Sequence, residues 1–283
     1  MKKLLALVLA MVMSISMVAC GGGEETTKTT VEKILDKGYI TVAISPDFAP
    51  SEFKDPSTGE VMGTDVEYAK YVAQYISDKY GKTVELKIEE MDFKACQAAV
   101  AAGAVDFSLN AYAATEERMA NYICAGPFAR IAPEEDTYHG ALVKKGLKIE
   151  TAEDFVGLKI GAQHASLQWN LAVEQLPIAA EEIEPVTNLN TGSMMVAEGK
   201  IDALITDSGA GELIINNNPD LEMAAFQFEY YSEGNVALVN INETELGELI
   251  TEALVASDND INYSDLRQEM VDKATALGVE VNE

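Results

Sequence analysis

Few side chains in this sequence are of a type and spacing that could attack, ligate or relay a proton. The two histidines, His139 and His164, and the three cysteines, Cys20, Cys96 and Cys124, lie at no spacing that builds a metal site. A lone histidine of this kind is structural or solvated; His164 also stands two residues before Ser166 and could border a cleft. No glycine-rich phosphate loop occurs, and among 47 Asp and Glu residues none is marked out as a general acid. Two positions sit where a ligand could be held. Asp207 follows a strand candidate at 201–206, and ligands gather beyond the carboxyl ends of strands in open α/β sheets; an aspartate there serves equally as the N-cap of the next helix. Ser166 opens another helix, where unpaired backbone donors favour an anion or need only a plain cap.

The elements that must hold these residues alternate between short β-prone runs and longer runs of helical periodicity, the pattern of an α/β protein with largely parallel strands. Strands are expected at 39–44, 84–88 and 105–109, with helices at 65–80 and 93–102 between them. A polar, breaker-rich stretch at 132–137 precedes a second series. That series has a short helix from Thr151, strands at 158–162, 183–186 and 201–206, and helices at 167–176, 193–198 and 209–215. A last strand at 235–239 and helices at 243–256 and 263–277 are too few for a third domain and should pack back on the first.

At the N-terminus, Lys2 and Lys3 precede an apolar run of about fifteen residues that ends at Ala19 and Cys20, too short for a bilayer span of roughly twenty. This is the form of a secretory signal. Met17-Val18-Ala19-Cys20 resembles a bacterial lipoprotein box, in which the cysteine is lipidated and becomes the new N-terminus, although Met17 departs from the usual Leu; ordinary cleavage near Ala19 is the alternative. Residues 20–30 hold no large apolar side chain that could build a core and read as a flexible tether. The protein is thus expected outside the cytoplasm, anchored to the cell membrane by lipid on Cys20. There Cys96 and Cys124 either pair or remain buried free thiols. A net charge of −27 with no basic block argues against nucleic acid as a partner.

Five ordered segments carry a resemblance over about residues 38–278. They are Phe48-Ala49-Pro50-Ser51-Glu52-Phe53, Gly63-Thr64-Asp65, Met91-Asp92-Phe93, Thr115-Glu116-Glu117-Arg118, and Gly199-Lys200-Ile201-Asp202-Ala203 leading to Asp207. Together they resemble the extracellular solute-binding proteins, family 3, which deliver polar amino acids to ABC importers. The resemblance implies a periplasmic-binding-protein-like fold of type II, two α/β lobes joined by a two-strand hinge, with the ligand between them. Lobe one would comprise 31–133 plus 233–283, and lobe two 138–228, behind a signal at 1–19.

By this resemblance Arg118 grips the ligand's α-carboxylate, a task suited to a planar guanidinium, where the plain alternative is a solvated arginine beside two glutamates. Asp207 would accept from the α-ammonium. Phe48 and Phe93 would line the ligand's side chain, unless they are core. Ala111 and Ala113 precede the arginine in the cleft wall; Ala113 replaces a common Ser or Thr, a loss that Asn110 and Tyr112 are candidates to cover. Ser45 and Gln163 stand where relatives carry Asp and Lys, so a ligand with an uncharged side chain is expected, and Ser166 completes the set.

The function implied is a non-enzymatic receptor, monomeric and without cofactor or metal, that passes its ligand to the transmembrane subunits of an ABC permease. A ligand sensor for a signalling receptor would use the same cleft, and a dehydratase on this fold is the enzymatic alternative.

Overall fold

The computed structural model describes residues 28–129, 137–231 and 234–279. Cys20, the signal and most of the tether lie outside these residues. Thr29 and Thr30, assigned to the tether above, are the cap and first residue of helix α1 (Thr30–Lys37). The reason is a reciprocal cap, with the Thr29 side chain accepting from the Glu32 backbone and Glu32 from that of Thr29.

The first series continues with β1 (Tyr39–Ile44), the short strands β2 (Asp47–Phe48), β3 (Glu52–Lys54) and β4 (Val61–Met62), α2 (Thr64–Tyr80), β5 (Glu85–Glu90), α3 (Phe93–Ala101), β6 (Phe107–Tyr112), α4 (Glu116–Asn121) and β7 (Tyr122–Phe128). The second holds β8 (His139–Lys144), β9 (Ile160–Gln163), α5 (Leu167–Gln175), β10 (Ile183–Val186), α6 (Leu189–Glu198), β11 (Ala203–Asp207), α7 (Ser208–Asn217) and β12 (Leu221–Gln227). The chain then returns through β13 (Asn235–Asn240), α8 (Thr244–Ser257) and α9 (Tyr263–Leu277). The short helix expected after Thr151 is a 3-10 turn, Ala152–Phe155.

Two five-stranded sheets result, in the orders β5-β1-β6-β13-β7 and β10-β9-β11-β8-β12. They share one plan. In each, three neighbouring strands are parallel and the fourth is antiparallel to both its neighbours. That fourth strand, β8 or β13, is the first one built after the chain crosses between sheets. The expectation of largely parallel strands therefore needs correcting: β7, β8 and β12 were not foreseen, and the sheets are mixed. The fold is α/β, with β2, β3 and β4 forming a small separate sheet.

Helices α1, α2 and α8 bury Val31, Ile34, Val66, Val72, Ile76, Leu246 and Ile250 on one side of the first sheet, and α3 covers the other through Cys96 and Val100. The second sheet is packed on both faces as well. Such two-sided burial matches the near-continuous apolar runs of β1 and β11. Cys96 and Cys124 are free thiols; burial pushes the Cys96 thiol up to about 12 and raises Cys124 too.

Two details aim the first lobe at the cleft. The backbone N–H groups of Thr64 and Asp65, orphans of the first turn of α2, donate to the carbonyls of Pro50 and Ser51. That fixes the loop carrying Phe48. A Cβ on Gly63 (φ 134°) would lie 2.2 Å from the Ser51 carbonyl oxygen, so only glycine permits this approach.

Candidate functional site

Between the lobes lies a cavity of about 560 Å³. Seven of the nine expected ligand-binding residues line it: Phe48, Phe93, Ala111, Ala113, Arg118, Gln163 and Asp207. Ser45 and Ser166 do not. Ser45 donates its hydroxyl to Asp47 (2.7 Å), and Ser166 caps α5 by accepting from the Trp169 N–H (3.0 Å).

Arg118 follows its cap, Thr115, into the first turn of α4. Its side chain is only 4 % exposed, yet no carboxylate lies in ion-pair range among the described residues. It donates to two carbonyl oxygens instead. One is Ala113 in its own lobe (2.9 Å) and the other is Ala165 in the opposite lobe (3.1 Å). The rings of Tyr112 and Phe93 flank it, with centroids 4.9 and 5.8 Å from the guanidinium carbon. Burial lowers its pKa, with the neighbouring Tyr112 and Glu117 pulling the other way.

Three alanines at positive φ stand in or beside the walls, Ala129 (φ 53°) among the lining residues. Ala111 (φ 45°) is held by the Asp65 carboxylate, which accepts its N–H at 2.7 Å. Ala165 (φ 65°) turns its carbonyl toward Arg118 and Gln97. Such backbone is strained for a residue with a Cβ.

Asn110 and Tyr112 do not supply the donor absent at Ala113. The Asn110 amide is committed to Ala43, Ser108, Tyr112 and the Ser45 N–H. Tyr112 is fully buried with its hydroxyl among the same groups. Phe48 reaches across to pack on the apolar cluster of the second lobe, and Phe93 packs against Tyr112 at 5.2 Å.

In the second lobe Asp207 ends β11 and caps α7, accepting from the Ala210 N–H (2.7 Å) and the Thr137 hydroxyl (2.7 Å). The cap role and a place in the cavity wall coexist. Gln163 donates its amide N–H to Asp47 (2.9 Å), so its donor and that of Ser45 are both turned to this carboxylate.

Asp47 was not foreseen. From the first lobe it also accepts the Leu189 N–H (2.9 Å) at the start of α6, so two of its three bonds cross the cleft. Burial raises it to about 6, its bonds to Ser45, Leu189 and Gln163 pulling the other way. Tyr138, His139 and Tyr230, beside the crossings, and Tyr263 and Arg267 on the C-terminal helix also line the cavity. No cluster of three His, Cys, Asp or Glu able to hold a metal occurs among the described residues. No helix among them is long and apolar enough to cross a membrane.

Two sheets of this shared plan with a cavity between them define a type II solute-binding fold. The profile of the bacterial extracellular solute-binding proteins, family 3, matches residues 40–272, and the chain belongs to that family. The arginine-binding extracellular protein ArtP of Bacillus subtilis is 23% identical over 95% of this chain and 98% of its own. The glutamine-binding protein GlnH of the same organism is 26% identical over 96% and 98%. A Streptococcus pneumoniae amino acid ABC transporter substrate-binding protein solved with L-arginine superposes with a TM-score of 0.73. It shares 24% sequence identity and covers 88% of this chain and 99% of the solved one.

Proposed function

We propose that this protein is the receptor of an ABC importer, a lipoprotein held to the membrane through Cys20 that captures an amino acid between its lobes. The observation that carries the reading is Arg118, a buried guanidinium in the cleft wall with two carbonyl acceptors and, among the described residues, no carboxylate in ion-pair range. A charge left in that state is costly, and an α-carboxylate brought to it supplies the missing partner by paired charge-assisted bonds. Asp207, across the cleft, is the acceptor for the α-ammonium. Phe48 and Phe93 provide apolar surface for the side chain.

Closure is part of the affinity. The bonds of Arg118 to Ala165 and of Asp47 to Gln163 and Leu189 join the two lobes, so they exist only when the lobes are together. A ligand that adds contacts in that state shifts the population toward it, and the closed form is the one a permease would dock. Ser45 lies outside the cavity wall and the Gln163 donor is bound to Asp47, so their neutrality does not require a neutral side chain in the ligand. The expectation of an uncharged side chain therefore loses its basis.

The test is titration calorimetry of protein unfolded and refolded to strip bound ligand, against the twenty amino acids. Binding by at least one, lost in Arg118→Ala, supports the reading; equal affinity in both proteins overturns it. Anchoring is tested separately, since Cys20→Ser should move the protein from the membrane to the soluble fraction.

A further inference from the structure

The C-terminal helix α9 packs on α2 of the first lobe and on α7 of the second, and two of its residues, Tyr263 and Arg267, one turn apart, line the cavity. Arg267 is half-buried. Its guanidinium rests on the first turn of α7, where a Cβ on Gly209 would come within 2.7 Å of Nη2. Glycine at that position leaves the guanidinium its room. A helix start is itself partly positive, so the contact does not neutralise the arginine. Among the described residues no carboxylate lies within ion-pair distance of Arg267.

Among the described residues the cavity wall thus carries two guanidiniums, Arg118 and Arg267, against one carboxylate, that of Asp207. Asp47, Glu52 and Asp65 lie behind the wall and do not line it. Against these described residues a zwitterion with a neutral side chain leaves one cation uncompensated when the lobes shut around it, and lysine or arginine leaves two. Uncompensated charge is most costly where water is excluded.

We infer that the cleft takes an amino acid with a second carboxylate, and that Arg267 is the residue that selects it. The inference rests on the receptor reading and adds the ligand's class to it. With Arg118 on the α-carboxylate and Asp207 on the α-ammonium, the side-chain carboxylate falls to Arg267, whose Nη2 and the Asp207 Oδ1 flank the same Gly209. Arg267 and the Tyr263 hydroxyl supply donors there.

The experiment measures dissociation constants of glutamate, aspartate, glutamine and arginine for the stripped protein and for Arg267→Gln. Ligand-free unfolding midpoints serve as the check on folding. The expected result is tighter binding of glutamate or aspartate than of glutamine or arginine. In Arg267→Gln the glutamate-to-glutamine affinity ratio should fall by about ten- to a hundredfold, the worth of one charge-assisted bond. Tighter binding of arginine or glutamine, still dependent on Arg118, overturns the inference and leaves the receptor reading standing. An equal loss for all four ligands in the variant assigns Arg267 a structural role and overturns it too. If no amino acid binds the stripped wild type, both readings fail together.

Discussion

The two walls of the cleft are built on opposite principles. On the first lobe, Arg118 is buried with no carboxylate in ion-pair range among the described residues, and Ala111 is bent into a strained conformation. On the second lobe, Asp207 already has a donor on each oxygen, Ala210 of its own lobe and Thr137 just before it. The first wall therefore gains most from a ligand, and the second is prepared to meet one at little cost. This difference points to capture on the first lobe followed by closure of the second, with the bonds of Asp47 and Ala165 recording the closed state.

The largest expected effect comes from removing the unsatisfied charge. Arg118→Ala should weaken amino acid binding at least about a hundredfold, since two bonds to a charged group are lost. Calorimetry reads this directly. Its unfolding midpoint without ligand should not fall in proportion, because the native arginine carries a burial cost that alanine lacks.

On the opposite wall the ligand role and the cap role separate by substitution. Asp207→Asn keeps a cap of similar quality and should weaken binding by about tenfold with little change in stability. Asp207→Ala should weaken it equally and also cost about 1 kcal/mol of stability, visible in denaturant unfolding. Equal stability of the two variants would remove the cap from the account.

Asp47→Ala leaves the cavity wall intact and deletes the bonds that cross to Gln163 and Leu189. Binding should weaken about three- to tenfold, and small-angle scattering should show a more open average form at saturating ligand. An unchanged affinity would show that those bonds add nothing to closure.

A smaller effect comes from pH. Burial raises Asp47 from 3.8 to about 6 and Asp65 from 3.8 to about 7. Between about pH 4 and 7 the native state thus binds more protons than the unfolded chain, so this part of the stability is present at pH 4 and lost as pH rises through 7. The midpoint should be higher at pH 5 than at pH 7.5. Asp65→Asn, which keeps an acceptor for the Ala111 N–H, should flatten that dependence.

How much of this was legible follows from the kind of signal each residue sends. The α/β class was readable because α2 and α8 show a clear apolar stripe and β1 and β11 are short apolar runs. Strands β7, β8 and β12 escaped for local reasons. Gly126-Pro127 interrupts β7, β8 starts beside a polar stretch, and Leu221–Gln227 alternates poorly, with only two of its seven residues buried. In the cleft, Arg118 and Asp207, singled out because each ends a segment that resembles the family's, both come to the cavity wall. Arg267 lies on a helix whose polar residues read as a solvated face, and nothing in the sequence says that α9 reaches α7. Asp47 likewise acquires its bonds only when two distant segments, at 163 and 189, are brought to it. Ser45 was assigned to the ligand because its position in the first loop matched, but its hydroxyl is turned to Asp47, two residues on.

The most direct test of the central claim is a thermal unfolding series on stripped protein, wild type and Arg118→Ala, with each amino acid at high concentration. Ligand at about a thousand times its dissociation constant adds roughly 4 kcal/mol, a rise of several degrees for a chain of this size. The account predicts such a rise for at least one amino acid in the wild type and none in the variant. The same rise in both proteins, or none in the wild type, would contradict it.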